Sequence, residues 1–267
     1  MRLKEVKKKG LEDVVLGIKK INLAFFLARS DIRQRYRRSS LGPFWITIST
    51  GVMIATLGII FGKIFKSPVQ EFLPFLASGL ILWGFISQVI LDATAVFVSS
   101  EAIIKQLPIP YFVHVVRMVC RNFIIFLHNV VIIPIVFIVF RLQIQEEIFL
   151  ILPGIVILVL NLLWMSLFLG ILCTRYRDMT QVIASCLQIV FYVTPIIWLP
   201  SLIPAKSSAM LLDPNPFYHL IQIVRQPILG QCPTVMNWIV TICLCLFGWL
   251  FTLCFFNRYR TRIAYWL

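Results

Sequence analysis

Charged residues are scarce in this chain. Asp, Glu, Lys and Arg together make up 13% of its 267 residues, whereas hydrophobic residues make up 60% and the mean hydropathy is +0.91. Average soluble domains carry about 25% charged residues, because their surfaces face water. The shortage of charge therefore excludes a soluble globular domain and predicts an integral membrane protein.

Motifs that carry chemistry are also missing. The seven cysteines are odd in number and lie mostly inside apolar runs, which predicts no disulfide framework. The stretch GIIFGK at Gly58 to Lys63 lacks the spacing and the Ser or Thr of a phosphate-binding loop, and its two glycines favour close packing of membrane helices instead. There are no paired carboxylates or metal cluster in a loop. We expect no catalytic residue, metal or cofactor in this chain, so ATP-driven work has to come from another chain.

Apolar residues form six stretches of the length, about 20 residues, with which a helix crosses a bilayer. With both termini in the cytoplasm, twenty of the 25 Lys and Arg residues lie in cytoplasmic segments, as the positive-inside rule requires. The predicted fold is an all-α integral membrane protein with a transmembrane domain at 45–256, flanked by cytoplasmic residues 1–44 and 257–267. The predicted spans are 45–64, 72–98, 123–140, 148–173, 182–199 and 238–256.

An amphipathic helix is predicted before the first span, where apolar residues recur at steps of three and four. Such a helix suits the inner membrane interface. Ser30 and Asp31 predict a new helix start and a shorter basic helix up to Ser39. The apolar stripe consists of Ile18, Ile21, Phe25, Ala28 and Ile32.

A basic cluster lies directly before the first span and consists of Arg33, Arg35, Arg37 and Arg38 around Tyr36. One interpretation is topological, since positive charge near anionic lipids fixes the orientation of a span. The other is a site for a phosphate-bearing headgroup, because the forked guanidinium matches phosphate oxygens. Nucleic acid is disfavoured, since the cluster is held at a bilayer and no recognised binding module accompanies it.

Two connecting segments carry helix signals. Residues 100–107 predict a short helix, capped by Ser99 or Ser100, which is either a docking element for a soluble partner or an ordinary interfacial turn. In the segment after the fifth span, Asn215 predicts an N-cap, Pro216 the first helical position and Gly230 the end of a helix. That helix is too short to span, so it either dips in from the outer face as a re-entrant element or lies flat on it. Its apolar stripe is Phe217, Leu220, Val224 and Ile228.

Polar residues inside the predicted spans need hydrogen-bond partners, because the hydrocarbon core offers none. Asp92 stands near Ser87, Gln88 and Thr94, and its role is either structural pairing or function. His128 and Asn129 are predicted to form hydrogen bonds between helices, as Asn161 can.

Four motifs occur in a characteristic order: DIRQRYRRSSLGPFW before the first span, EAIIKQLPIP after the second, RYRD after the fourth, and DPNPFYHLIQIVRQPIL before the sixth. Together they resemble the permease subunit of type-2 ABC exporters, in the Wzm-like branch that exports O-antigen and capsular polysaccharides across the bacterial inner membrane. The resemblance covers essentially the whole chain.

The resemblance implies partners and sites. Two copies would form a central channel, and a separate ABC ATPase dimer, which holds ATP and Mg, would dock on the helix at 100–107. A polyprenyl-diphosphate-linked glycan would be recognised at the basic cluster, and 212–230 would form a periplasmic gate. The implied docking residues are Ser100, Glu101, Ile103, Ile104 and Lys105, and the implied gate residues are Asp213, Asn215, Pro216 and Arg225.

Three functions compete at this point: a glycan exporter permease, a type-2 permease for another cargo such as teichoic acid, capsule, a lipid or a drug, and a membrane-embedded enzyme. An exporter needs flat, neutral faces for sugar rings, which aromatic residues would supply, although each one taken singly is better explained as a lipid-facing residue or part of an interfacial aromatic belt. For an enzyme the outer face offers only Asp213 and His219. The candidate channel aromatics are Trp83, Phe85, Trp164, Phe168, Phe191, Tyr192 and Trp198.

Overall fold

The structure is a computed structural model that describes residues 2–37, 39, 42, 44–141, 143, 145–202 and 204–267, with side chains from Gly10 onward except those of 205, 206, 208 and 209. The described residues form helices joined by short connections, and no strand occurs among them. The helices are α1 Arg2–Lys19, α2 Ile21–Arg35, α3 Phe44–Ile64, α4 Val69–Thr94, α5 Glu101–Gln106, α6 Tyr111–Val130, α7 Ile132–Phe140, α8 Ile151–Arg175, α9 Met179–Val193, α10 Ala205–Leu212, α11 Pro216–Ile228, α12 Val235–Tyr259 and α13 Ile263–Trp266.

Five helical segments of the described chain are long and apolar enough to cross a membrane, which confirms an all-helical membrane protein. They correspond to the first four predicted spans and the sixth. At the predicted fifth span the chain forms α9, an apolar helix of 15 residues, and continues without helix from Thr194 to Leu199. The five segments are Phe44–Ile64, Val69–Thr94, Tyr111–Phe140, Glu146–Arg175 and Val235–Trp266.

The core is built around α4. In its most apolar window 78% of the residues are buried inside the protein, against 17% for α3. Helices α3, α6, α8, α9 and α11 all pack against α4. Small residues allow close approach, since a Cβ at Gly154 of α8 would lie 2.6 Å from the carbonyl oxygen of Ile223 in α11. The other spans therefore keep large apolar faces outward, and α4 positions the polar residues described below.

The two ends of the bundle differ. At one end, here called the terminal end, α1 meets α6 and the C-terminal segment. The buried Asp13 carboxylate accepts a hydrogen bond from the backbone N–H of Phe112 at 3.0 Å and pairs with Arg260 at 2.8 Å. At the opposite end, here called the far end, lie the α3–α4 turn, residues 145–150 and the turn after α11.

Two sequence predictions about helix ends are wrong. Helix α2 runs without interruption through Ser30 and Asp31, and the break lies at Lys20 instead. Asp31 does not cap a helix, because its carboxylate binds Arg117 of α6. Helix α6 in turn begins at Tyr111, well before predicted residue 123, because Arg117 and Arg121 are neutralised within the protein and do not end the helix.

Some local details were also predicted incorrectly. The short helix after α4 is present as α5, but Ser100 forms no side-chain cap, and the Ser99 hydroxyl donates to the backbone of Val96. Asn129 does link helices, since it accepts a hydrogen bond from Thr47 of α3 at 3.2 Å. His128 instead bonds the carbonyl of Ile124 in its own helix.

Candidate substrate pathway and coupling surfaces

The basic cluster occupies the end of α2 and the turn that follows. Arg33, Arg35 and Arg37 are exposed, and within the described part of the chain none of them pairs with a carboxylate. Tyr36 is half-buried beside them. Arg38 lies outside the described residues. The three guanidinium groups are therefore free to bind an anionic ligand or lipid.

Asp31 anchors this cluster. Its carboxylate receives two hydrogen bonds from the fork of Arg117 in α6, one of them from Nε at 2.7 Å. Both side chains are largely buried, with exposures of 15% and 20%. A forked contact between charged groups fixes orientation as well as distance. The position of the arginines on α2 is thus tied to α6.

Asp92 extends the contact to α4. Its carboxylate accepts hydrogen bonds from Arg121 at 2.6 Å, Asn122 at 2.9 Å and Gln88 at 2.8 Å. Arg121 also lies 3.8 Å from Asp31, so a continuous polar network joins α2, α6 and α4. Of the partners expected for Asp92, only Gln88 is used. The hydroxyls of Ser87 and Thr94 instead donate to carbonyl groups of α4.

A polar cavity of about 220 Å³ adjoins this network between α3, α4 and α6. Arg35 stands at its edge, and the amides of Gln88 and Asn122 link its lining to Asp92. The arrangement places one free cation and several amide donors beside the first span. It can hold a small anionic group, because both donor types suit phosphate oxygens. Its polar lining is Arg35, Thr50, Gln88, Asn122 and Asn129.

The candidate channel aromatics fall into separate groups. Trp83 of α4 lies 5.9 Å from Phe191 between ring centres, and Phe191 lies 5.3 Å from Tyr192. The indole of Trp198 donates to the carbonyl of Tyr192 at 3.1 Å. These four residues share the α4–α9 face, where Tyr192 is 60% exposed.

The remaining three candidates lie elsewhere. Phe85 stacks on Phe126 of α6 at 4.7 Å and is buried. Trp164 and Phe168 of α8 line a wholly apolar cavity of about 270 Å³ with residues of α9, while Phe168 also packs against Phe255 of α12. The sequence did not reveal this division, because aromatic residues occur on every helix.

Helix α11 begins and ends as predicted. The Asn215 side chain accepts hydrogen bonds from the backbone of Phe217 and Tyr218, Pro216 opens the helix, and Gly230 follows its end with φ of +71°. Residues from His219 to Val224 are buried on all sides of the helix. Protein therefore covers the helix all round, and whether it is re-entrant or lies flat at the outer face of the membrane stays a prediction.

Arg225 is buried inside this arrangement. One of its terminal nitrogens donates to the carbonyl of Pro195 at 2.6 Å, Nε donates to Gln222 at 3.3 Å, and the guanidinium lies 4.2 Å over the ring of Phe75. Asn215 donates to Thr194 at 2.8 Å. The non-helical chain after α9 is therefore covered and hydrogen-bonded by α11.

Helix α5 lies at the terminal end beside α13. Lys105 and Glu101 form an exposed ion pair at 2.6 Å. Ile104 packs on the core, whereas Ile103 is half-buried without joining it, and Leu107 is exposed. The surface of α5 and Leu107 thus offers apolar and charged contacts to a partner.

Metal chemistry finds no support in the described residues, since no three His, Cys, Asp or Glu side chains come together as ligands there. His219, one of the two residues considered for an enzyme, is buried and fully engaged, because its ring nitrogens bond Asn237 and the carbonyl of Asp213. The Asp213 carboxylate is exposed.

Comparison with known proteins gives the family. Residues 22–229 match the family model described as ABC-2 type transporter. Two relatives from Klebsiella pneumoniae, both named O-antigen export system permease protein RfbA, are similar to this chain. One is 23% identical over 247 residues, covering 91% of this chain and 94% of the relative. The other is 23% identical over 201 residues, covering 75% and 77%.

The matched region runs from α2 to the end of α11, so it contains the basic cluster, the network around Asp92, α5 and α11. A family match over most of the chain, with helices that suit a membrane, settles its class. The chain belongs to the ABC-2 type transporter family, as a multi-pass permease that works with an ABC ATPase and is itself a transport subunit, not an enzyme.

Proposed function

We propose that this chain is the membrane subunit of an exporter that moves a lipid-linked polysaccharide, of the O-antigen kind, from the cytoplasm across the bacterial inner membrane. The observation that carries the proposal is the free arginine cluster beside a polar cavity at the first span. The names of the two relatives support a glycan as cargo. Teichoic acid, a lipid or a drug is the alternative cargo.

The arginine cluster would bind the diphosphate that joins a polyprenyl lipid to its glycan. Arg33, Arg35 and Arg37 can each present a fork to phosphate oxygens, and Asp31 is unable to neutralise them because it is occupied by Arg117. The apolar residues exposed on α2, among them Phe25 and Phe26, suit the lipid side of the inner interface. The headgroup would thus be held where the lipid tail stays in the membrane.

Six crossings with both termini in the cytoplasm fit this path. Helix α9 spans only about 22 Å at 1.5 Å per residue, less than the ~30 Å hydrocarbon core. The chain from Thr194 to Leu199 would complete the crossing, since irregular backbone is tolerated at membrane depth where protein covers it. Arg225 and Asn215 supply that cover through Pro195 and Thr194.

A second copy of the chain would close the channel. Helix α3 is mostly unburied, and large apolar side chains such as Val52 and Ile189 are more than half exposed. Lipid covers part of this surface, and the partner copy the rest. The exposed Tyr192, with the partly exposed Phe191 and Trp198 beside it, would then offer flat surfaces to sugar rings, while the buried Trp83 would support them from behind, with α11 as the gate at the far end.

Helix α5 would transmit the work of an ABC ATPase dimer, in which ATP and Mg are bound. Its connection to α4 is direct, because only a short turn and one 3-10 turn separate Thr94 from Glu101. Movement imposed on α5 would therefore reach Asp92 and the network at the basic cluster.

The test is reconstitution. The permease is purified with its ATPase, inserted into vesicles with the ATPase outside, and supplied with polyprenyl-diphosphate-linked glycan. ATP should drive the glycan into the lumen, where an added glycosidase cannot reach it. An ATPase variant unable to hydrolyse ATP serves as the control. Transport of a teichoic acid precursor, a lipid or a drug without transport of glycan would overturn the proposal.

A further inference from the structure

A second polar cavity, of about 440 Å³, lies at the far end of the bundle. It is bordered by the start of α4, the end of α7, the segment before α8 and the turn after α11. Its volume falls within the ~300–1,000 Å³ range of small-molecule sites. Four glutamines reach it from three different segments: Gln70, Gln143, Gln145 and Gln231. We name this site the glutamine cavity.

The four amide groups form no hydrogen bond with one another or with other described residues. Within the described part of the chain, glutamine side chains form hydrogen bonds at Gln88, Gln222 and Gln226, and none of these belongs to the cavity. Each primary amide has two N–H donors and a carbonyl acceptor. A ligand that carries several hydroxyl groups, each both donor and acceptor, is the direct complement of such a lining.

Part of this geometry is fixed by the backbone. Gly230, with φ of +71°, lies against Gln145, and a Cβ at that position would come within 2.6 Å of Oε1 of Gln145. The N–H of Gln231 donates to the carbonyl of Gln226 at 2.8 Å, which closes the turn after α11. The turn thus brings Gln145 and Gln231 to one cavity although they come from different segments.

The floor of the cavity is apolar and includes Phe75 and Phe137. Phe75 is held from another side by the guanidinium of Arg225, 4.2 Å from its ring centre. An apolar floor with a few convergent polar groups is the usual composition of a small-molecule site. Sugar rings have the same two-sided chemistry, with apolar C–H faces and a rim of hydroxyl groups.

The charge of the lining selects among ligands. Among the described residues of the lining, Glu71 is the one ionisable group, and no Lys, Arg or His of that part contributes to it. A carboxylate accepts hydrogen bonds from hydroxyl groups but repels phosphate. The glutamine cavity therefore differs from the arginine cluster, which suits anions, and it does not suit a phospholipid headgroup.

We infer that the glutamine cavity is a binding subsite for a neutral saccharide. Resting on the proposed function, the saccharide is a unit of the exported glycan, held at the far end after the lipid-linked group has been recognised at the opposite end.

The test uses the permease–ATPase complex in nanodiscs with defined probes: maltose, chitobiose and lactose, each at millimolar concentration, with glucose 1-phosphate as the anionic probe. Saturation-transfer NMR should detect at least one neutral sugar, and any signal from glucose 1-phosphate should come from the arginine cluster and stay unchanged when the glutamines are replaced. The Gln143→Leu/Gln231→Leu variant should weaken binding about tenfold, since two neutral hydrogen bonds are lost. Gln181→Leu, an exposed glutamine at the terminal end, should bind like the wild type.

Three results would overturn the inference: no signal from any neutral sugar, weaker binding of glucose 1-phosphate by the double variant, or unchanged sugar binding by the double variant. Should the double variant fail to fold, Gln143→Leu and Gln231→Leu are measured singly. If no sugar binds to a permease that still transports glycan, the subsite is disproved and the proposed function stands. If sugar binds to a permease that transports no glycan, the proposed function is disproved and the subsite stands.

Discussion

Asp31 and Arg117 form a forked contact that links α2 to α6, with Nε of Arg117 2.7 Å from the carboxylate. Arg121 carries the link on to Asp92 in α4. The arginine cluster is therefore attached through ion pairs to α4, the most buried of the five helical segments long enough to cross a membrane, and not only through the chain that connects α2 to α3.

Asp31→Ala should destabilise the protein by about 1–3 kcal/mol, because a largely buried guanidinium loses its charged partner. Glu101→Ala, which breaks an exposed ion pair with Lys105, should cost about 0–1 kcal/mol. Thermal unfolding of the purified permease measures both. A double-mutant cycle with Arg117→Ala gives the coupling energy, and a value no larger than that of the exposed pair would contradict the structural role of Asp31.

Arg33, Arg35 and Arg37 replaced together by Lys should impair export of lipid-linked glycan. Charge is kept, but the forked contacts with a diphosphate are lost, which weakens the site by about 1–3 kcal/mol. Export is measured at matched permease level. Arg29→Lys, on the same helix and exposed, is the control. Full export by the triple variant would leave these arginines with a topological role only.

Orientation is tested by single cysteines in a background without the native ones. A cysteine in place of Tyr265, which is 88% exposed at the terminal end, should be protected from an impermeant thiol reagent in intact cells. A cysteine in place of Met210, which is 83% exposed near the far end, should react. Labelling of residue 265 from outside would disprove a cytoplasmic C-terminus.

Arg225→Ala should destabilise α11 by more than about 2 kcal/mol, because the carbonyl of Pro195 loses its partner and a cavity opens under Phe75. Asn215→Ala, which removes the helix cap and the hydrogen bond to Thr194, should cost about 1–2 kcal/mol. Hydrogen exchange of the α11 amides reports both changes. Exchange in Arg225→Ala no faster than in the wild type would mean that the buried arginine adds nothing to the position of this helix.

Docking of the ATPase on α5 is tested by Ile103→Asp together with Leu107→Asp. Both side chains reach the surface, whereas Ile104 packs on the core. A substitution of Ile104 would disturb folding, so its effect on docking would not be separable. The ATPase should no longer co-purify with the variant, although the permease still inserts. Gln181→Asp adds charge to another exposed position at the terminal end and should leave the complex intact. Normal co-purification of the double variant would place the docking surface elsewhere.

Local chemistry was readable from the sequence, and contacts between distant residues were not. The bounds of α11 followed from Asn215, Pro216 and Gly230, each of which acts on its own turn. Ser30 and Asp31 offered the same kind of local signal, yet Asp31 is bound by a residue far along the chain. A capping rule considers only neighbouring residues, so it does not take into account a partner such as Arg117.

The start of α6 shows which signal was overlooked. A third span at 123–140 leaves Arg117 and Arg121 outside the helix, although a spacing of four residues places them on one face of a helix. Basic residues on one face can extend a helix when acidic residues oppose them, as Asp31 and Asp92 do here. Predicting this needed the knowledge that α2 lies beside α6, which depends on the whole fold.

The buried Asp13 sets an order on biogenesis. Its carboxylate has two partners, the N–H of Phe112 and the guanidinium of Arg260. During translation, Phe112 is made when less than half of the chain has been synthesised, whereas Arg260 is made only after α12. The N-terminal helix can therefore settle on α6 early, but the terminal end is closed as a late event, once the final helix is in place.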